Sequence, residues 1–268
     1  MYKANYHTHT FRCQHAGGTE EDYVQAAIAN NLQVLGISDH GPFETLNLGL
    51  RMSYEELCDY VQTIDQLKEI YRDKITLYKG VEIEYIPTMC NYYEKLLTKH
   101  GLEYLVLGEH SYLLPNGDFQ NIYSAPSSDC YIGYANAIAE AVRTGFFRIL
   151  AHPDLCMLNP YAWDSNCEKA FDIILDAVSR SDILLEYNAN GLRRNTSSYP
   201  DGERYPYPHK RFWEMVAKTN LPVIIGCDCH NPKHMYDEYV ALAETQLSEL
   251  GITPVEFMKG FEPAIIID

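Results

Sequence analysis

Seven of the ten histidines stand with acidic residues where short apolar runs end. They are His7 and His9 with His15 just beyond, His40 beside Asp39, His110, His152, and His230 two residues after Asp228, joined by Glu82. Imidazole nitrogens and carboxylate oxygens in one set suit Zn, Mn or Fe, and the donors alone do not choose among these. The groups lie far apart in sequence, so only a fold that gathers strand ends into one mouth makes a single site of them. The chemistry open to such a site is hydrolysis by metal-activated water.

Each motif taken singly is weak, because a histidine pair is more often a satisfied polar site than a ligand set. His7-Thr-His9 and Asp228-Cys-His230 place two donors two residues apart at a strand end, so both project to one side. Ser38-Asp39-His40-Gly41 closes an apolar run, with His40 read as a ligand and Asp39 as either a ligand or the acceptor that fixes an imidazole tautomer. Glu82 and Glu84 share a face in Lys79-Gly-Val-Glu-Ile-Glu-Tyr85. A buried carboxylate without a cation is costly, so at least one is expected to pair with metal or Arg, and Glu82 has two oxygens with which to bridge two ions. Glu84 is either its partner or a solvated or Arg-paired side chain. Gly108-Glu-His110 and Ala151-His152-Pro-Asp154 repeat the pattern, with Asp154 a candidate acceptor behind His152. Five strand ends each delivering a histidine is a far more specific signal than any one of them. His100, His209 and His234 belong to no strand end and read as surface or helix-cap residues.

The elements that must position these residues are legible as an alternation. Strand-like runs cover Ala4–Thr8, Val34–Ser38, Thr76–Ile83, Tyr104–Gly108, Arg148–Ala151, Ile183–Tyr187 and Val223–Gly226, mostly continuous and apolar as in strands buried on both faces. Between them, Thr19-Glu-Glu-Asp22 and Ser53-Tyr-Glu-Glu56 look like capping boxes opening helices. Further helices are predicted at Asn91–Lys99, Asp129–Thr144, Cys167–Ser179, His209–Thr219 and Tyr236–Leu250. Repeated βα units without a linker predict one α/β domain over residues 1–268, a distorted seven-stranded (β/α)7 barrel, mostly parallel, with the metal site at the C-terminal strand ends. An open doubly wound sheet would feed its site from only two or three strands.

Composition narrows the partners. A formal net charge of −16 argues against a nucleic-acid backbone, and no run approaches the roughly 20 apolar residues of a membrane span, so a cytoplasmic protein with no membrane partner is expected. The eight cysteines show no disulfide framework and are read as reduced thiols, with Cys227 and Cys229 turned away from Asp228 and His230 as packing residues. Arg193, Arg194, Arg204, Lys210 and Arg211 concentrate basic charge after the sixth strand, in a connection of about twenty residues that reads as a lid or binding loop. An anionic group is expected there.

The series HxH, SDH, GxExE, xEHS, HPD and GxDxH, in this order along the whole chain, resembles the PHP (polymerase and histidinol phosphatase) superfamily. The HTHTxRCxHA opening, SDHGP and the NxxGLR stretch at 188–193 are most similar to its monofunctional histidinol-phosphate phosphatases. The resemblance implies a trinuclear centre with one ion on His7, His9, Glu82 and Asp228, a second on Glu82, His110 and His152, and a third on His15, His40 and His230. It implies a phosphomonoesterase that hydrolyses L-histidinol phosphate in histidine biosynthesis, with Glu82 and Asp228 at the catalytic centre. Arg193 or Arg194 would supply a fork of donors to phosphate, with Arg204 and Arg211 as further candidates. Tyrosines in 199–207 could wall the pocket for the leaving group. Two alternatives stay open: a PHP hydrolase for phosphotyrosine, a nucleotide or a sugar phosphate, and a non-catalytic metal-binding or regulatory domain.

Overall fold

The apolar runs that are separated in sequence pair edge to edge in the order in which they occur. The computed structural model describes residues 2–264. Its strands are β1 (Ala4–Asn5), β2 (Val34–Ile37), β3 (Thr76–Ile83), β4 (Tyr104–Leu107), β5 (Ser111–Leu113), β6 (Phe119–Asn121), β7 (Phe147–Leu150), β8 (Leu184–Asn188), β9 (Ser197–Tyr199), β10 (Gly202–Arg204) and β11 (Val223–Gly226). Seven of these form one parallel sheet in the order β1-β2-β3-β4-β7-β8-β11, matching the predicted runs, and the remaining four make two small antiparallel hairpins, β5 with β6 and β9 with β10.

The sheet comes close to closing on itself. Where a full ladder between β1 and β11 would stand, Asn5 Oδ1 accepts from the Cys227 N–H at 3.0 Å. Just beyond the strand ends, Thr8 bridges Cys229, with the His9 N–H donating to the Cys229 carbonyl at 3.0 Å. The seam is thus tightest at the C-terminal mouth, beside the histidines.

The helices are α1 (Glu20–Ala29), α2 (Leu57–Tyr71), α3 (Cys90–Thr98), α4 (Cys130–Thr144), α5 (Ser165–Val178), α6 (Ala189–Arg193), α7 (Lys210–Val216) and α8 (Glu238–Glu249). Thr19 caps α1 and Asp22 answers by accepting from the Thr19 N–H at 2.7 Å, so Asp serves in the reciprocal position of the capping box. At the second predicted box Glu56 accepts from the Ser53 N–H at 2.9 Å, in a 3-10 turn that leads into α2. The twenty-residue connection after β8 is not structureless, because it holds α6 and the β9–β10 hairpin. Among the described residues no helix is long and apolar enough to cross a membrane.

Strand alternation sorts the side chains into tiers. Leu35, Ile37, Val81, Ile83, Leu105, Leu107, Leu185 and Ile225 pack outward in the main core with the helices. Inside the barrel, Ala4, Tyr6, Val34, Tyr104, Ile149, Leu184 and Ile224 fill the lower half, and Met258 and Phe261 from the C-terminal segment plug its base. The Tyr6 hydroxyl ties that plug in place, donating to the Phe261 carbonyl at 2.7 Å. Above this floor come glycines at Gly36, Gly80 and Gly226, and above them Ser38, Glu82 and Asp228. The Tyr104 ring occupies the room left by two of these glycines, since a Cβ on Gly80 would lie 2.6 Å from its Cζ and one on Gly36 2.2 Å from its hydroxyl oxygen.

Tyr104 is fully buried and its hydroxyl donates to the Tyr6 carbonyl at 2.8 Å, so it has no free volume into which to retreat. Gly80→Ala is expected to lower stability by about 1–3 kcal/mol, the usual cost of overpacking a filled core. Denaturant unfolding measures this, and a wild-type midpoint would show that the ring moves freely.

Candidate metal centre

Glu82 is the point on which the donors converge. It is buried at the end of β3, with its Oε2 2.9 Å from His40 Nδ1 and 3.4 Å from both His7 Nε2 and His9 Nε2. Its other oxygen, Oε1, lies 2.8 Å from His152 Nε2 and 3.4 Å from His110 Nε2. Gly108 makes the room, because a Cβ there would sit 2.2 Å from Glu82 Oε1.

Asp228 enters from the end of β11, with Oδ1 3.1 Å from His9 Nε2 and 3.7 Å from His7 Nε2. His15 and His230 face each other at 3.0 Å between their Nε2 atoms, and with His40 they offer ligand atoms within 4.8 Å of one another. The same closeness holds for His7, His9 and Glu82, and for His40, Glu82 and His110. The structure therefore brings together His7, His9, His15, His40, Glu82, His110, His152, Asp228 and His230 in overlapping clusters.

The electrostatics describe a set of donors suited to cations. Burial opposes ionisation of Glu82, yet the rings of His110, His7 and His40 hold it well below the usual carboxylate range, and His7, His9 and His230 outweigh burial in the same way for Asp228. Protons are spread unevenly over the imidazoles. Burial works against His9 and His110, but Asp228 and Asp39 raise the first to about 9 and Glu82 raises the second to about 10. Burial and the neighbouring His9 push His40 down to about 4 and His230 down to about 2. Imidazoles this close cannot all carry protons, while the two carboxylates require positive charge beside them. Divalent cations meet both conditions, so the residues fit a metal centre of more than one ion.

The side chains behind the donors are also placed. Asp39 is an acceptor and not a member of the inner ring: its Oδ2 accepts from the Thr10 N–H at 3.0 Å and its Oδ1 lies 3.6 Å from His9 Nδ1. Glu84 pairs with Arg51 through two hydrogen bonds of 3.0 and 2.9 Å and meets His110 Nδ1 at 3.1 Å. Burial alone would raise its pKa, but Arg51 and His110 bring it down to about 2. Asp154 holds the His209 N–H at the start of α7 and makes no hydrogen bond to the His152 ring. His209 caps α7 as expected, although it is buried. His100 meets the Tyr54 hydroxyl, and His234 lies in a 3-10 turn with its carbonyl accepting from Cys227. All eight cysteines are free, with Cys227 and Cys229 buried on the outward side of the β11 end.

One group was missed. Glu186 in Leu184-Leu-Glu-Tyr-Asn188 is wholly buried in β8 and meets His7 Nδ1 at 2.6 Å, and the argument that a carboxylate in an apolar strand needs a partner applies to it as it did to Glu82. Two of these potential donors also have left-handed backbones, His152 at φ 31° and Asp228 at φ 45°, a conformation that costs a non-glycine residue about 1–3 kcal/mol and collects at functional sites.

The basic segment disperses on folding. Arg204 lies 3.6 Å over the Tyr199 ring and bonds Asp201, Lys210 approaches Glu214, and Arg211 lies over Trp163. Arg194 alone of the five lines the cavity above the donors, a space of about 260 Å³ shared with Tyr123, Tyr207 and Asn190. Tyr207 accepts from Arg194 Nε at 3.2 Å, and Tyr123 stacks on His110 with the rings 6° from parallel. Of the two arginines expected as alternatives for phosphate, Arg193 does not line this cavity: its guanidinium lies behind β11, bonded to Asp237 at 2.7 and 3.1 Å and to the carbonyls of Cys227 and His234. The reason is helical direction, since adjacent residues at the end of α6 point to different sides.

Arg193→Ala removes one partner of a largely buried pair and leaves Asp237 with only the Tyr239 and Val240 N–H groups that it accepts from at the start of α8. The expected loss is about 3–5 kcal/mol in denaturant unfolding. A loss under about 1 kcal/mol, the worth of an exposed pair, would contradict this structural role.

Comparison with known proteins agrees with the geometry. The chain is 28% identical over 264 residues to the "Probable histidinol-phosphatase" of Deinococcus radiodurans, covering 94% of this chain and 95% of that one. It is 23% identical to the "Histidinol-phosphatase" of Bacillus subtilis, covering 91% of this chain and 99% of the other. The fold matches the crystal structure of histidinol phosphate phosphatase from Lactococcus lactis, solved with zinc, L-histidinol and phosphate, with a TM-score of 0.72 at 18% identity over 94% of this chain and 95% of that one. The family model for the PHP domain matches residues 5–190, which spans the strand ends carrying all donors but Asp228 and His230, and the chain belongs to the PHP domain family.

Proposed function

We propose that this chain is a metal-dependent phosphomonoesterase whose substrate is L-histidinol phosphate. The observation that carries the reading is Glu82, whose two oxygens face two different sets of imidazoles below a cavity that Arg194 enters. The choice of substrate is supported by the curated relatives of that name, which align along nearly the whole chain.

In this reading His7, His9, Glu82 and Asp228 would hold one ion, Glu82, His110 and His152 a second, and His15, His40 and His230 a third. Zn, Mn and Fe all suit these ligands. When bound, such ions lower the pKa of water toward neutrality and neutralise phosphate oxygens.

The chain's own residues do the rest. Glu82 and Asp228 fix the spacing of the donors from opposite sides of the barrel. Arg194, held by Tyr207, presents guanidinium N–H groups to the non-bridging phosphate oxygens, and binding there orients phosphorus over the centre. Tyr123, Tyr207 and Asn190 wall the cavity, and Asn190 donates to Asp228 Oδ2 at 3.2 Å. Hydrolysis forms a bond from phosphorus to the water oxygen and breaks the bond to the ester oxygen, which leaves as the primary alcohol after taking up a proton.

The direct test is phosphate release from L-histidinol phosphate by protein of measured metal content, run beside phosphotyrosine, a nucleotide and a sugar phosphate. Preference for L-histidinol phosphate is expected. A higher kcat/KM on another ester would move the substrate assignment within the family, and no turnover of any ester by metal-loaded protein would favour a non-catalytic domain. Arg194→Ala is expected to lower kcat/KM about 10- to 150-fold, the loss of one charged hydrogen-bonding group, with metal content unchanged. Unaltered kcat/KM would remove Arg194 from the phosphate site.

A further inference from the structure

β8 is the one strand of the barrel's second half that supplies no donor to the clusters, yet its two upper inward positions are polar, buried and fully engaged. Glu186 Oε1 lies 2.6 Å from His7 Nδ1, while its Oε2 accepts from the His152 N–H at 3.1 Å and from Asn188 Nδ2 at 2.8 Å. Asn188 Nδ2 also donates to Asp228 Oδ2 at 3.1 Å, and its Oδ1 accepts from the Gly191 N–H that opens α6. We propose that Glu186 and Asn188 are positioning residues that aim His7, His152 and Asp228 at the ions. This rests on the reading of the donor clusters as a metal centre.

Three observations converge on it. First, Glu186 stands at His7 Nδ1, where a carboxylate accepts, and the opposite nitrogen, Nε2, is the one turned to Glu82 and Asp228 at 3.4 and 3.7 Å, as a ring that is to offer Nε2 to an ion must be. Next, the ligands with left-handed backbones are His152 and Asp228, and this pair of side chains holds both, one by its N–H and the other by its carboxylate. Lastly, Gly226 makes way for the device: a Cβ there would lie 1.7 Å from Glu186 Oε1 and 2.2 Å from Cδ. The Gly226 backbone is not left-handed, so the carboxylate is what excludes a side chain at this position.

Glu186→Gln tests the idea with a change of one atom. A carboxylate accepts from all three donors, whereas an amide must turn its NH2 toward either His7 Nδ1 or the paired His152 and Asn188 donors. Either orientation spoils the aim of a ligand. In Zn2+ titration calorimetry of the metal-stripped full chain, the phases that depend on His7 and His152 are expected to weaken about 10- to 100-fold. The group of His15, His40 and His230, which neither residue touches, keeps its affinity.

Gly226→Ala, which displaces the carboxylate without altering it, is expected to show the same selective loss and to have no further effect in a Glu186→Ala background. The far-UV spectrum of each variant checks that the fold is kept. Affinities within twofold of wild type for Glu186→Gln, or a uniform loss over every phase, would overturn the positioning role. Wild-type protein that takes up no Zn2+ would overturn the metal-centre reading itself, and phosphate release decides the substrate separately.

Discussion

A carboxylate placed at the centre of a nearly closed barrel sets the terms for everything around it. Glu82 is 1% exposed, and an ion so deeply placed is tolerated only when positive charge and hydrogen bonds compensate it. The compensation comes from His7 and His9 after β1, His40 after β2, His110 after β4 and His152 after β7, so no single segment could supply it. Closure of the sheet is what brings these ends within reach, and the Thr8 to Cys229 bridge fastens the seam at that level. The donor clusters and the barrel are for this reason built together, and a change in the closure is a change in the site.

Vertical order inside the barrel serves the same constraint. An apolar floor with Tyr104 and the C-terminal plug keeps water out from below, glycines admit the bulk of Tyr104 and Glu186, and ionisable groups occupy the top. Donors fixed on strand ends are more precisely located than donors on long loops, which suits chemistry that depends on tenths of an ångström. The loop side of the mouth is built for contact instead. There Arg194, Tyr123 and Tyr207 surround the cavity that would receive a phosphate ester.

Much of this was legible because it depends on local pattern. The seven barrel strands lie within a residue or two of the apolar runs in most cases, since strands buried on both faces are mostly apolar. Pairs such as His7 with His9 follow from the two-residue repeat of a strand, and Thr19 with Asp22 from the geometry of a helix start. The reading failed where a side chain's direction depends on distant neighbours. Arg193 and Arg194 are equivalent as letters, but one turns behind β11 to Asp237 and the other enters the cavity. Glu186 carries a usable signal, a carboxylate inside an apolar strand, but no histidine stands beside it in the sequence to mark a cluster. The two hairpins lack strong strand pattern and arise from folding back of the connections.

By itself the sequence determined the donor types, their spacing, the order of strands and helices, and membership of a family whose motifs are spread along the chain. These are properties of residue identity and of the two short periods of polypeptide structure. Only the tertiary structure decided which oxygen of Glu82 faces which imidazoles, that Asp39 stands behind His9, that Glu84 belongs to Arg51, and that one arginine of five reaches the cavity. The physical reason is that donor type is fixed covalently, whereas partnership is fixed by the closing of the barrel, which brings residues as distant as Asn5 and Cys227 into contact.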